Sequence, residues 1–248
     1  MQSDKLVIIP TYNEVENISE MIHAVMDLKE LFDLLVIDDQ SPDGTSEIVK
    51  AVKNNFPGRI HLLQREGKQG LGTAYIDGFQ YALARNYTYI FEMDADFSHN
   101  PTDLSKLYRA CAEDGFDMAI GSRYITGVNV VNWPMGRVLM SFFASKYVQF
   151  VTGIPIKDTT AGFVCYRDRI LRAFPLEKVK FIGYAFQIEM KFTTWKMGFK
   201  IVEIPIIFTD RTKGTSKMSK HIFREAIFGV IYMKVKSWFK KYPANQTG

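Results

Sequence analysis

Residues 89–96, YIFEMDAD, and the earlier residues 34–39, LLVIDD, each end a short β-favouring apolar run at carboxylates. In an open α/β sheet, ligands bind outside the carboxyl ends of the strands. Asp94 and Asp96 are two positions apart, so in an extended segment their side chains point the same way. Such a pair can hold Mg²⁺ or Mn²⁺, with substrate phosphates as further ligands. The alternative is that Asp94 and Asp96 only cap the next helix.

Short apolar runs alternate with helical patterns through residue 120. They predict strands at 6–10, 34–37, 60–64, 89–93 and 118–120, and helices at 14–28, 45–54, 73–84 and 102–113. Later patterns predict helices at 138–151, 186–197 and 221–241, and strands at 163–166 and 201–208. Strands that alternate with helices predict a mostly parallel sheet with right-handed crossovers.

The composition fits one α/β domain with a basic end. The chain has 248 residues, of which 47% are hydrophobic. Residues 211–241 hold nine Lys and Arg and a single acid, Glu225, which suggests contact with an anionic membrane or with nucleic acid. Cys111 and Cys165 lack metal-ligand spacing, which argues against disulfide or zinc chemistry. Neither a signal peptide nor a membrane span is predicted.

The predicted C-terminal helix combines this basic charge with an apolar face. Phe223, Ile227, Ile231 and Val235 recur at spacings of four, and aromatic residues widen the apolar surface. Such a helix lies flat in a membrane interface or packs its face on the domain, and the pattern leaves both open. Nucleic acid is not predicted as a partner, because its sites usually show a solvated basic stripe.

Two loops have compositions typical of nucleotide contacts. In residues 38–45, DDQSPDGT, the acids could accept hydrogen bonds from a base or a ribose, while Asp43 or Thr45 could instead cap the following helix. In residues 67–73, GKQGLGT, main-chain N–H groups before a helix could favour an anion. This second loop does not have the order of a Walker A motif.

Several motifs occur in a fixed order along the chain: Pro10-Thr11-Tyr12-Asn13-Glu14, Asp38-Asp39-x-Ser41-x-Asp43-Gly44-Thr45, Asp94-Ala95-Asp96, Gly121-Ser122-Arg123-Tyr124, Asp158-x-x-x-Gly162-Phe163 and Arg211-x-x-Gly214-x-Ser216-Lys217. Together they closely resemble the family 2 inverting glycosyltransferases. Within that family they resemble the dolichyl-phosphate (polyprenyl-phosphate) mannose synthases. The resemblance covers about residues 5–240.

This resemblance implies an architecture and a reaction. The fold would be GT-A, a Rossmann-like, mostly parallel sheet flanked by helices, with amphipathic interface helices near the C-terminus. Residues 1–220 would form the catalytic domain and residues 221–248 a basic amphipathic helix and tail. Mannose would pass from GDP-mannose to a polyprenyl (dolichyl) phosphate with inversion, giving a β-mannosyl phosphoryl lipid.

The resemblance also implies roles for individual residues. Those expected to bind the nucleotide sugar are Pro10, Tyr12, Glu14, Ile37, Asp39, Asp94, Ala95, Asp96, Arg211 and Lys217. Asp96 would bind Mg²⁺ or Mn²⁺, and Ser98 occupies the position of a second ligand that is often glutamine in the family. Arg123, Arg137 and Ser141 would bind the acceptor phosphate. The residues expected to act in catalysis are Asp94, Asp96, Arg123, Arg211 and Lys217.

The charge of the acceptor determines the expected mechanism. A phosphate monoester has a second pKa of about 6, so it is mostly a dianion at neutral pH and needs no dedicated base. The metal, Arg211 and Lys217 would stabilise the leaving GDP, while Arg123 and Arg137 would neutralise the attacking phosphate. His99 is expected to be a helix cap or a surface residue.

Two other functions fit parts of the same sequence. One is a related transferase with another donor, such as UDP-glucose, and the other is a non-catalytic nucleotide-sugar binder. A lipid acceptor implies an enzyme on the cytoplasmic face of a membrane. Either its own helices hold it at the membrane surface or a separate membrane subunit anchors it, and the sequence leaves both open.

Overall fold

A seven-stranded sheet forms the centre of the protein. The computed structural model describes residues 3–211, 221–239 and 242, and for Tyr184 and residues 221–226 it describes the main chain only. The strands are β1 (Lys5–Thr11), β2 (Asp33–Asp38), β3 (Ile60–Gln64), β4 (Tyr89–Glu92), β5 (Met118–Ser122), β7 (Val164–Arg167) and β8 (Ile201–Pro205). Their order is β3-β2-β1-β4-β7-β5-β8. All neighbouring pairs are parallel except those of β7, which runs antiparallel to β4 and to β5. The predicted mostly parallel sheet is therefore confirmed.

Helices connect and flank these strands. They are α1 (Ile18–Met26), α2 (Thr45–Lys53), α3 (Leu71–Ala84), α4 (Leu104–Ala112), α5 (Met135–Thr152), α6 (Asp168–Ala173), α7 (Tyr184–Lys196) and α8 (His221–Phe239). Two short 3-10 turns lie at Pro101–Asp103 and Leu176–Lys178. A two-stranded sheet pairs β6 (Val130–Val131) with β9 (Phe208–Thr209).

Several boundaries differ from the sequence predictions. The helix predicted from residue 14 begins at Ile18. In the segment before it, the Glu14 main-chain N–H donates to Thr45 Oγ1 at 3.0 Å and that of Val15 donates to Asp43 at 3.1 Å, which ties this segment to the loop after β2. The strand predicted at 201–208 ends at Pro205 and resumes as β9 beside β6. The predictions missed β6 and α6, which are too short for their periodicity to stand out.

Apolar side chains cover both faces of the sheet. One cluster joins Leu6 and Ile8 of β1 to Phe79 of α3, and a second joins Val7 and Ile9 of the same strand to α1 and α4. Burial on both faces is typical of parallel strands covered by helices, and it explains their continuous apolar runs.

The last helix, α8, packs against α7 and α5. Val230 and Met233 point into the core, whereas Ile227, Ile231 and Val235 are between 43% and 48% exposed. These three residues of the predicted apolar stripe therefore face outward, and a different face of the helix packs on the domain. Within the part of the chain that the structure describes, no helix combines the length and apolarity needed to cross a bilayer.

Candidate active site

The candidate site lies at the carboxyl edge of the parallel strands. β1, β2 and β4 run side by side and end at Thr11, Asp38 and Glu92. The loops that follow them hold the residues around Tyr12, Asp39 and Asp94. This edge is where open α/β sheets bind ligands, so the topology brings three predicted segments to one place.

The paired aspartates lie in a loop rather than in a strand. β4 ends at Glu92, one residue earlier than predicted, and Phe97 takes a left-handed conformation with φ of 59°. Asp96 Oδ1 accepts a hydrogen bond from the Ser98 main-chain N–H at 3.0 Å. Asn100 accepts the N–H of Thr102 and is the cap of the following turn. The alternative that Asp94 and Asp96 only cap the next helix is therefore wrong.

Several charged residues converge on the Asp94 carboxyl. Burial, together with the adjacent Asp96 carboxylate, raises the pKa of Asp94 to about 7. The other charges that act on this carboxyl come from Arg211, Glu14 and Arg123. The fold thus gathers into one small region predicted residues from segments that are far apart in the chain.

Asp96 is 7% exposed and forms an ion pair with Arg211, whose guanidinium lies 2.9 Å from the carboxylate. This contact brings together the predicted metal ligand and the residue predicted to hold the diphosphate. The other residue predicted at the diphosphate, Lys217, lies outside the described residues, as do Gly214 and Ser216 of the same motif.

The donor atoms near Asp96 suit a magnesium or manganese ion that also binds a substrate. The hydroxyl of Ser98 is buried and has no hydrogen-bond partner, so its oxygen is available to a cation. No cluster of three or more His, Cys, Asp or Glu residues that could hold a metal occurs among residues 3–211, 221–239 and 242. One carboxylate and one hydroxyl fit Mg²⁺, which usually takes its other ligands from substrate phosphates and water.

The acids after β2 differ in how fully the protein uses them. Asp38 accepts hydrogen bonds from Thr11, Ser46 and both the N–H and hydroxyl of Ser41, so it serves to organise the loop. Asp39 forms an ion pair with Arg65 at 2.9 Å. Burial raises the pKa of Asp39, and the Arg65 guanidinium opposes that shift.

Arg65 is a residue that the sequence reasoning missed. Its side chain is 5% exposed, and it bonds to Asp77, Gln69 and Thr73 as well as to Asp39. No motif marks it, since it is a single arginine after β3. Only the fold shows that it ties the end of β2 to the loop before α3.

The remaining residues of the predicted nucleotide pocket fall into two groups. Pro10, Tyr12 and Glu14 are partly exposed at the edge, and the Lys68 ammonium lies 4.8 Å from the centre of the Tyr12 ring. Ile37 is completely buried in the core and Ala95 is 4% exposed, so their side chains do not line an open surface. A ligand at this edge could meet Ile37 only through its main chain.

Arg123 is held firmly by Asp158. Its Nε and one terminal nitrogen donate to the two carboxylate oxygens at 2.7 and 2.6 Å, and a further bond at 2.8 Å reaches Thr160 Oγ1. The paired Arg123 guanidinium holds the pKa of Asp158 below its usual range, even though burial acts in the opposite direction. Arg123 therefore lies in the site with a fixed orientation and with its charge partly neutralised.

The two acceptor residues predicted on α5 are more accessible. Arg137 pairs with Asp210 at 2.8 Å and lies 4.2 Å from the centre of the Trp133 ring. Ser141 follows one turn later on the same helix and is half-buried. Asp210 directly precedes Arg211, which pairs with Asp96. The ion pair between Arg137 and Asp210 therefore brings α5 close to Arg211 and Asp96.

A cavity of about 810 Å³ opens beside Asp96. Its walls come from the turn at Pro101–Asp103, from Lys106 of α4 and from the segment between β8 and Asp210. Of the predicted site residues that the structure describes, Asp96 alone is in its lining. The aspartate thus faces open space as well as Arg211.

His99 differs from its predicted position. It is 3% exposed and stacks on Phe163 with ring centroids 4.9 Å apart, so the expectation of a cap or surface residue is wrong. Burial lowers the pKa of His99 to about 4, which keeps the ring neutral. Its isolation in the sequence could not reveal this, because the aromatic neighbour comes from β7's flank.

Comparisons with known proteins show the family of the chain. A family model described as Glycosyl transferase family 2 matches residues 6–174. The chain is 44% identical over 233 residues to the polyprenol monophosphomannose synthase of Mycolicibacterium smegmatis, covering 94% of this chain and 86% of that protein. It is 43% identical over 225 residues to the undecaprenyl-phosphate mannosyltransferase of Micrococcus luteus, covering 91% of each.

Solved structures share the fold at low sequence identity. Glucosyl-3-phosphoglycerate synthase from Mycobacterium tuberculosis has a TM-score of 0.69 at 15% identity, over all of this chain and 82% of that chain. A mannosyltransferase from Pyrobaculum calidifontis, in complex with GDP-Man and Mn²⁺, has a TM-score of 0.61 at 17% identity, over 99% of this chain and 66% of that chain. These likenesses confirm the predicted α/β, GT-A class of fold.

Proposed function

Because this chain belongs to glycosyl transferase family 2 and is a glycosyltransferase, we propose that it transfers mannose from GDP-mannose to a polyprenyl phosphate with inversion, giving a β-mannosyl phosphoryl lipid. The observation that carries the proposal is the meeting of Asp94, Asp96 and Arg211 at the carboxyl edge of the sheet. The names of the two relatives, both above 40% identical, support mannose as the sugar and a polyprenyl phosphate as the acceptor.

Asp96 and Ser98 would hold Mg²⁺ or Mn²⁺ together with the donor diphosphate. When bound, the cation supplies positive charge that stabilises the departing nucleoside diphosphate. Arg211 already lies 2.9 Å from Asp96, so a small change of partner would bring its guanidinium to a phosphate oxygen. Lys217 is proposed to add a second positive charge.

The base and ribose would bind beyond β1 and β2. Asp39, oriented by Arg65, would accept hydrogen bonds from the base, while Pro10, Tyr12 and Glu14 would border it. Ile37 and Ala95 would contribute their main chains at most. A preference of this pocket for guanine, and so for GDP-mannose as the donor, is part of the proposal.

The acceptor phosphate would bind to Arg137 and Ser141 on α5. Arg123 would face the same anion with its guanidinium fixed by Asp158 and Thr160. Since the acceptor is a dianion at neutral pH, it can attack without losing a proton. Asp158 is unsuited to act as a base, because both of its oxygens accept bonds from Arg123.

The lipid part of the acceptor suggests a membrane surface beside α5 and α8. Both helices expose large apolar side chains, among them Phe143 and Phe150 of α5 and Trp238 of α8. We propose that these side chains enter the lipid interface, so that the enzyme is peripheral. A separate anchoring subunit would be a further means of attachment.

A donor screen tests this function directly. The purified protein is mixed with a polyprenyl phosphate and with labelled GDP-mannose or UDP-glucose, with Mg²⁺, with Mn²⁺ or with EDTA. The expected result is a mannosyl phospholipid formed from GDP-mannose only when a metal is present. Transfer from UDP-glucose and not from GDP-mannose would show that the proposed donor is wrong. Transfer in the presence of EDTA would show that the reaction needs no metal.

A further inference from the structure

A lysine is buried in the core behind the candidate site. Lys191, on α7, is completely buried. Its ammonium donates to the Ala161 main-chain oxygen at 2.6 Å, to the Gln187 main-chain oxygen at 3.3 Å and to Gln187 Oε1 at 3.1 Å. All three donors are therefore used. Burying a charged group is costly unless it is fully hydrogen-bonded, so the presence of a lysine at this position requires an explanation.

Gln187 connects this lysine to the strand that leads into the aspartate loop. Its amide nitrogen donates to Glu92 Oε2 at 2.8 Å. Glu92 is the last residue of β4, and Asp94 follows two positions later. The Gln187 side chain thus accepts from Lys191 at one end and donates to Glu92 at the other, which sets the position of α7 against the end of β4.

Ala161 connects the same lysine to Arg123. The preceding residues, Asp158 and Thr160, both accept bonds from the Arg123 guanidinium. On its other side this loop is held by Glu203, which accepts the Asp158 main-chain N–H at 2.8 Å. Lys191 therefore provides the anchor at the end of the loop that lies nearest to β7.

We propose that Lys191 is a positioning residue for the transfer reaction. Together with Gln187 it fixes the loop that orients Arg123 relative to the end of β4. β4 is held between β1 and β7, so the loop is the part that moves when this link is lost. The inference rests on the proposed function, because it needs Arg123 to face the acceptor phosphate.

The charge of Lys191 suits this role. Burial lowers the pKa of Lys191, while the neighbouring Glu92 and Asp158 carboxyl groups act in the opposite direction and favour the ammonium. A methionine of similar length would fill the same space without the cost of burying a charge. If the lysine served packing alone, that replacement would leave both stability and activity near their original values.

The test compares Lys191→Met and Gln187→Met with the wild-type full chain. In each variant the expected kcat for mannosyl transfer falls about 10²-fold, the size of loss that a misplaced catalytic group produces. The affinity for GDP with Mg²⁺, measured by calorimetry, is expected to change by less than about twofold, because β4, which leads into the aspartate loop, stays held between β1 and β7. Thr194→Val, which removes another buried polar group of α7, is the control and is expected to keep its kcat.

The possible outcomes separate this inference from the function on which it rests. A folded Lys191→Met or Gln187→Met protein with unchanged kcat overturns the positioning role, as does a parallel loss of kcat and GDP affinity. An equal loss in Thr194→Val overturns it too, since any change in the core would then suffice. If Lys191→Met does not fold, Gln187→Met decides alone. A wild-type protein that transfers no mannose would instead contradict the proposed function.

Discussion

The Arg211 guanidinium lies 2.9 Å from the Asp96 carboxylate, and Asp96 also faces the large cavity beside the sheet edge. A carboxylate proposed to bind a metal and an arginine proposed to bind the diphosphate thus neutralise each other in the donor-free protein. Binding of a metal and a diphosphate would separate this pair and give each charge a new partner. Both residues are therefore direct targets for mutation.

Asp96→Ala is expected to lower metal-dependent mannosyl transfer by about 10²–10³-fold while the protein stays folded, because it removes the carboxylate ligand of the proposed cation. Initial rates over a range of Mg²⁺ concentrations measure the loss, and circular dichroism checks the fold. Asp103→Asn is the matched control, since Asp103 lines the same cavity but pairs with Lys106. Full turnover in Asp96→Ala would remove the proposed metal role.

Arg211→Ala is expected to lower kcat for transfer by about 10²–10³-fold, because one charged contact with the leaving diphosphate is lost. Steady-state kinetics with saturating donor measure the effect. Arg109→Ala provides the comparison: its ion pair with Glu30 is exposed, and such pairs contribute little. Equal rates for the two variants would mean that Arg211 only forms an ion pair.

Gly78→Ala is expected to lower the melting temperature. A Cβ at this position of α3 would lie 2.8 Å from Ile8 Cδ1 and 3.0 Å from Ile37 Cδ1, in the core. Overpacking typically costs about 1–3 kcal/mol, which outweighs the ~1 kcal/mol that alanine gains in a helix. Gly136→Ala on α5 has open space around it and is expected to raise the melting temperature slightly. Calorimetry of both variants checks the contrast.

His61→Phe is expected to make stability less sensitive to acid. Burial lowers the pKa of His61 in the folded protein below its ordinary value of 6.5. As the pH falls through 6.5, the unfolded chain takes up a proton that the folded chain resists, so unfolding is favoured. The wild type should therefore lose more melting temperature than the variant between about pH 7.5 and pH 5.5. Equal losses would mean that His61 contributes nothing to the pH dependence.

Replacing Phe150 and Phe239 by serine is expected to weaken binding to anionic phospholipid vesicles. Their side chains are 90% and 84% exposed, on α5 and α8, and each would lose its apolar contact with lipid. Co-sedimentation measures binding, and transfer to a short-chain soluble acceptor should stay unchanged. Leu31→Ser, at an exposed apolar position before β2, is the control. If the variant lost as much transfer activity on the short-chain soluble acceptor as on an acceptor held in vesicles, a lipid contact would be contradicted.

The sequence alone was sufficient to predict the order of most strands and helices through residue 120. Local apolar runs and helical spacing specify such elements, and their alternation specifies a mostly parallel sheet. It also placed the aspartates at the carboxyl edge, since a strand that stops at acids leaves them there. The short elements, such as α6, lacked enough residues for a period to be recognised.

Contacts between distant residues could not be predicted in the same way. The Arg123–Asp158 and Asp96–Arg211 pairs, the burial of His99 and the antiparallel direction of β7 depend on how separate segments pack. Spacing in α8 correctly indicated an apolar face but not which face meets the domain, because only the packing of α8 on α5 and α7 selects it.

The chain by itself therefore determined which elements form and which edge of the sheet carries the acids, since both follow from patterns within a few residues. Only the tertiary structure decided which charges meet there and which are neutralised. Ion pairs and buried polar links require side chains from remote segments to approach within about 3 Å, and that distance is set by the packing of the whole domain.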